Sequence, residues 1–228
     1  LWKDMSIGWQ FISARAGFLG LMILFGLGNY ANMMTDTLMP PMLLELDSPT
    51  ILGSVLSTGG LGMLVGTVLM SAWGGPKKRI YGVLIFKTLA GLAIMAIGLF
   101  QSIPLIALAT FFYYLPFPLV NGSDQAIWQS KVPPELQGRV FSIRRMLARS
   151  MIPLAYLTAG PLSDQVFKPL LSANGALASS LGQFFGLGPS RGVGLLIFLM
   201  GEIIVVLTLA AASDPRVRNM EEELPDAV

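Results

Sequence analysis

The sequence predicts an all-α, polytopic membrane protein built on six transmembrane helices. Three observations predict it. Only 12% of the 228 residues are charged, where a soluble domain averages roughly 25%. Apolar runs recur at the length that crosses a hydrocarbon core, about 20 residues each. Basic residues collect in alternate loops, as membrane orientation demands. With a mean hydropathy of +0.67, such a chain has too little polar surface to cover itself in water, and a lipid-facing exterior follows.

The elements are taken in order. Residues 1–15 set Trp2, Ile7, Trp9, Phe11 and Ile12 among polar neighbours, the pattern of a helix lying in the membrane interface. The bundle proper, 16–212, divides into spans at 16–38, 51–73, 80–100, 105–125, 146–162 and 193–212. The fifth is short and starts beside Arg149, so its helix is expected to begin near Val140 with its first turns in the interface. The loop 164–190 carries Val166, Phe167, Leu170, Leu171, Leu181, Phe184 and Phe185 between glycines, and is expected to fold as short amphipathic pieces over the outer mouth. The tail, 213–228, with Glu221, Glu222 and Glu223, is expected to be solvated and disordered.

Lys and Arg set the orientation. Twelve fall before the first span, in the second and fourth connections, or after the sixth span; two, Lys168 and Arg191, fall on the other side. Both termini are therefore expected in the cytoplasm. The stretch VPPELQGRVFSIRRM, 132–146, then reads as a cytoplasmic loop whose arginines anchor to phosphates and water.

Composition also excludes. An excess of 15 basic over 13 acidic residues is too small and scattered for a nucleic-acid footprint. With no Cys and no His, disulfides, thiolate chemistry and metal sites of the usual type fall away. No phosphate-binding G-x-x-x-x-G-K-[ST] loop is present, which removes ATP coupling on this chain. An intramembrane aspartyl protease fits poorly, because NGSD at 121–124 lacks the expected glycine. No enzyme activity and no cofactor are expected. No secretory signal precedes the first span, and Leu1 is not an initiator methionine; the chain reads as part of a longer one.

Ionisable residues inside spans are costly and usually face a cavity. Asp36 ends the first span after Asn29, Tyr30, Asn32 and Thr35; Asp124 sits among Asn121, Gly122, Ser123 and Gln125, with Tyr113 and Tyr114 above it. The second patch has the composition of a cavity lining, and a deep helix end is its plain alternative. Lys87, seven residues past Ile80, is expected to snorkel toward the cytoplasm. Glu202 lies mid-span without an evident partner. In the second span, Gly62 and Gly66 form G-x-x-x-G beside Gly59 and Gly60, a pattern for close helix packing or for a sliding surface.

Several stretches carry a family resemblance: VPPELQGRVFSIRRM, AYLTAGPLSDQVFKPLL, GLGPSRGVGLL at 186–196, WGGPKKRIYGVL at 73–84 and the opening GWQFISARAGFLGL. To about residue 212 the chain resembles the second half, spans seven to twelve, of a major facilitator superfamily transporter. It looks closest to the branch of macrolide-efflux and enterobactin-exporter proteins. The resemblance implies one half of a twelve-helix major facilitator fold in a bacterial cytoplasmic membrane. Its first and fourth spans would line a cavity for a small-molecule substrate. The implied activity is proton-coupled secondary export of an amphipathic or hydrophobic compound by alternating access. The missing six-helix half would come from upstream in the same chain, or from a second copy in a parallel homodimer. The implied gating loops hold Lys77, Lys78 and Arg79, and Glu135, Gly138, Arg139, Arg144 and Arg145. There Gly138 permits a turn, Arg139 caps a helix end or pairs with Glu135, and the stretch either latches or merely anchors. The acid that usually precedes the family's basic cluster is absent before Lys77. A non-transporting membrane partner, or a truncated relic of such a transporter, is the alternative.

Overall fold

The computed structural model describes residues 2–223 and 226–227, with side chains from residue 6 onward. The expected interfacial Trp2 and the charge of Lys3 lie outside the described side chains. Helices α1 (Trp2–Ser13), α2 (Ala16–Leu46), α3 (Pro49–Trp73), α4 (Arg79–Leu99), α5 (Ile103–Tyr114), α6 (Pro116–Lys131) and α7 (Pro134–Pro161) come first. A π-helical turn, Leu162–Phe167, and the short helices α8 (Lys168–Leu170) and α9 (Gly182–Phe185) lead to α10 (Pro189–Ser213). Two small helices close the chain, α11 (Pro215–Arg218) and α12 (Met220–Glu223), and no strand occurs among the described residues.

Helix ends follow proline and glycine more closely than they follow the apolar runs. Val132 precedes Pro133 and is extended (φ −105°, ψ 122°), because the proline ring crowds the helical conformation of its predecessor. Pro134 then opens α7 at the first helical turn, where a missing N–H costs nothing. The stretch 134–146 is therefore helix and not a loop, starting six residues before the expected Val140. Gly138 permits no turn; it lies within this helix with open space where a Cβ would stand. Helix α2 runs past its expected end at 38 through Pro40 and Pro41. Its 31 residues reach about 46 Å at 1.5 Å each, well beyond a hydrocarbon core of roughly 30 Å.

The long helices, with α5 and α6 counted as one, alternate in direction between two cores. At one end, Phe18, Leu21, Ile80, Ile127, Trp128, Ile143 and Val217 share a core. Met42, Val55, Ile97, Ile106, Ala159 and Val193 share another toward the opposite end. Five of the traverses, Ala16–Leu46, Pro49–Trp73, Arg79–Leu99, Ile103–Lys131 and Pro189–Ser213, are long and apolar enough to cross a membrane. Helix α7 has the length, at 28 residues, but Arg139, Arg144, Arg145 and Arg149 make its first half too polar by composition. These traverses make the chain a multi-pass membrane protein, with α3 presenting Leu61, Leu64, Val68 and Trp73 outward.

Glycine sets the closest helix contacts. A Cβ at Gly62 or Gly66 would stand 2.3 Å from the Phe111 carbonyl oxygen or 2.0 Å from that of Leu115, so the G-x-x-x-G of α3 seats the backbone of the α5–α6 junction. A seam not noticed in the sequence joins α4 to α10. Gly98 meets Gly194 and Gly91 meets Gly201, each Cβ position 2.3–3.0 Å from the facing carbonyl oxygen.

Within the tail expected to be disordered, Pro215–Arg218 and Met220–Glu223 are helical. Val217 and Met220 are buried because Gly20 and Gly17 of α2 leave notches for them; a Cβ would lie 2.5 Å from Val217 Cγ2 and 2.8 Å from Met220 Cβ. The Arg79 and Ile80 amides donate to the Glu221 carboxylate at 3.0 and 2.7 Å, which caps the positive end of α4. Lys78 pairs with Glu222 at 2.6 Å. The acid that the basic loop lacks in sequence thus arrives in space from the tail. At the opposite end, the loop pieces dock Leu171 and Phe185 against Leu195; they pack on α10 and line neither of the polar cavities described below.

Candidate functional site

Helix α2 repeats Phe25, Asn29 and Asn32 at spacings of four and three, and α6 repeats Asn121, Gln125 and Trp128 at four and three. Each set lies on one helical face. These faces meet α7 around a cavity of about 210 Å³ whose polar lining is Asn29, Asn121, Gln125, Arg144 and Arg145. Phe25, Phe141 and Trp128 supply aromatic walls. A smaller cavity of about 30 Å³ continues from it, sharing Phe25, Asn29 and Asn121 and adding Asn32, Lys87 and Tyr113. Their volumes fall below the roughly 300–1,000 Å³ of a small-molecule site.

Asp124 stands behind this lining, with no exposed surface. One carboxylate oxygen accepts from Trp128 Nε1 at 2.9 Å, and the other is ion-paired with the Arg144 guanidinium. Arg144 also donates to Gln125 Oε1 at 3.0 Å and lies 5.2 Å above the Trp128 ring, whose other neighbour is Phe18 at 4.4 Å. Paired and hydrogen-bonded in this way, a buried carboxylate is tolerated. Arg144, expected in a solvated loop, instead points into the bundle because α7 begins early enough to carry it there.

Lys87 does not snorkel. It is 5% exposed, and its ammonium lies 4.5 Å from the Phe25 ring centroid. Gly28 makes the room, since a Cβ there would stand 2.5 Å from Nζ. Glu202, in contrast, is on the exposed flank of α10, as are Ile203 and Val206.

The expected single polar patch is divided in two. Tyr113 and Tyr114 do not sit over Asp124; both phenols donate to Asp36 Oδ1, at 3.0 and 2.9 Å. Tyr30 shares a 2.8 Å hydrogen bond with Thr158, and Asn29 donates to the Ala148 carbonyl at 3.3 Å, so both tie α2 to α7. Of the remaining basic and turn residues, Lys77, Glu135 and Arg139 are exposed, Arg79 donates to the Gly74 carbonyl, and the Arg139 backbone lies against Gly8 of α1. Trp128, Phe25 and Phe141 were missed as site residues. Trp128 had a signal, standing four residues after Asp124 on the same helical face.

Three comparisons bear on this site. Over 176 residues, 72% of this chain and 42% of the relative, the sequence is 23% identical to macrolide efflux protein A of Streptococcus pyogenes. It is 30% identical to the multidrug efflux pump Tap of Mycolicibacterium fortuitum over 135 residues, 58% of this chain and 32% of the pump. It is 23% identical to macrolide efflux protein A of Enterococcus faecalis over 158 residues, 67% of this chain and 48% of that protein. The chain therefore spans less than half the length of these relatives. No protein-family model matches it, and no solved structure does.

Proposed function

We propose that the chain forms one six-helix wall of a secondary transporter that exports an amphipathic or hydrophobic small molecule by alternating access, coupled to protons. The observation that carries this reading is a polar, cation-bearing cavity within an otherwise lipid-facing bundle. Polar groups without partners in hydrocarbon cost several kcal/mol each, so this face calls for a second wall. The undersized cavity fits the same reading, with the remaining volume contributed by the other six-helix half, upstream in the chain or from a parallel second copy. Efflux names among the relatives support export. In this reading α7 is the fifth of six spans, its arginines turned to the cavity and to headgroups, and both termini are cytoplasmic.

Sidedness is tested with single cysteines and an impermeant thiol reagent. Ser48→Cys, Ser102→Cys and Ser172→Cys should label from outside, and Lys77→Cys or Gln137→Cys should not; reversal defeats the topology. Activity is tested in a bacterium stripped of efflux pumps, with the chain expressed alone and with its upstream reading frame. Export should require the second half and should be lost in Asp124→Asn at unchanged membrane abundance. Full export by residues 1–228 alone as a monomer overturns the one-wall reading.

A further inference from the structure

We infer that the cavity selects amphipathic anions, with Lys87 as the counter-ion for the substrate's acidic group. This rests on the transporter reading and adds the substrate's charge to it. Across the two adjoining cavities the lining carries Lys87, Arg144 and Arg145 and no carboxylate. The nearby acid, Asp124, has no exposed surface. Both of its oxygens are engaged, one by Trp128 and one by Arg144.

Lys87 is left over. It is almost fully buried in a span, where a cation is expensive. Among the described residues its charge meets the Phe25 ring and no carboxylate within ion-pair distance. Gly28 nonetheless makes room for Nζ, which occupies the position a Cβ would take. A lysine serving packing alone would be replaced at lower cost by leucine or methionine. The arrangement instead holds a desolvated ammonium at one end of a cavity with aromatic walls, and an arginine pair at the other. An anion entering there gains strong attraction, since a low dielectric magnifies charge interactions. Its apolar body rests on Phe25, Phe141 and Trp128. The chemistry is that of a carboxylate, sulfonate or phosphate ester joined to an aromatic or alicyclic body. An anionic lipid headgroup presents the same group, and the experiment separates the two.

The full chain is placed in phosphatidylcholine nanodiscs, and two probes are titrated with empty discs as the blank. One is 1-anilinonaphthalene-8-sulfonate and the other N-phenyl-1-naphthylamine, which has the same rings without the sulfonate. Energy transfer from tryptophan reports occupancy. The sulfonate should bind more tightly, and Lys87→Met should weaken it about tenfold or more while leaving the neutral probe unchanged. This variant removes a buried cation, so loss of folding is not its expected effect. Arg145→Gln, at the exposed rim, should weaken the sulfonate to a smaller degree. Equal affinity for both probes, or an unchanged preference in Lys87→Met, overturns the inference. Discs containing phosphatidylglycerol complete the test: no competition supports a substrate site, whereas displacement of the sulfonate assigns the site to lipid and overturns substrate selection. Export by the whole transporter of neutral or cationic compounds, unaffected by Lys87→Met, removes the anion and leaves the transporter. Absence of any export removes the transporter whatever the probes show.

Discussion

Asp124 and Asp36 are both carboxylates in membrane spans, yet the bundle satisfies them in opposite ways. Asp124 has a cation: Arg144 reaches it from α7, and Trp128 holds its other oxygen. Asp36 has two phenols on one oxygen and, among the described residues, no basic side chain in an ion pair with it. The first arrangement is a charge balanced by charge between two helices distant in sequence. The second is a charge, or a proton-bearing acid, held by neutral donors from one neighbouring turn. The difference teaches where failure would be costly, because removing one partner of a buried ion pair strands the other. Removing one phenol leaves Asp36 the other.

The largest expected effect breaks the first arrangement. Arg144→Gln leaves Asp124 buried without its cation and should cost roughly 3–5 kcal/mol, read as detergent-solubilised unfolding. Adding Asp124→Asn should restore most of that loss, a coupling that additive behaviour would contradict. The matching change at the other site, Asp36→Asn, keeps an oxygen for both phenols and should cost no more than about 1 kcal/mol.

A middle-sized effect sharpens the phenol clamp. Tyr113→Phe and Tyr114→Phe should each cost about 1 kcal/mol, Tyr113 more than Tyr114 because it is buried. The double variant leaves Asp36 without either donor and should exceed the sum of the singles. Simple additivity would mean that the two phenols act on Asp36 independently.

The smallest effects lie at the exposed ion pairs capping each end. Lys78 holds the Glu222 carboxyl below its ordinary range by hydrogen bonding and charge, and Lys168 does the same for Asp164. A depressed folded-state carboxyl contributes above its ordinary value and loses that contribution as pH falls through the lowered one. Protection against hydrogen exchange in 214–223, taken relative to the intrinsic rate at each pH, should therefore fall at acid pH, and at a higher pH in high salt, which screens exposed pairs. Protection that is flat through this acid range would show that the Lys78–Glu222 pair does not hold the tail.

The bundle of apolar helices was legible from the sequence, because hydrocarbon demands length and apolarity that no other environment requires. The polar positions of α2 and α6 were also legible, since Asn29 and Asn32 or Asn121 and Gln125 need only helical periodicity, whereas Phe25 and Trp128 on the same faces were passed over. Helix ends were less legible. Apolar runs mark where lipid is, whereas Pro133, Pro134 and the prolines within α2 mark where backbone donors are missing.

Partner choice was decided by tertiary structure alone. Nothing in the order of residues says that Tyr113 and Tyr114 turn to Asp36 across 77 and 78 positions, or that Arg144 turns inward. Nor does it say that Glu221 crosses 141 positions to cap α4. The placement of the tail, of Lys87 and of α10 follows from which glycines permit close approach, at Gly17 and Gly20, Gly28, and Gly91 and Gly98. A missing side chain leaves no periodic signature, and only packed helices show what fills the space it opens.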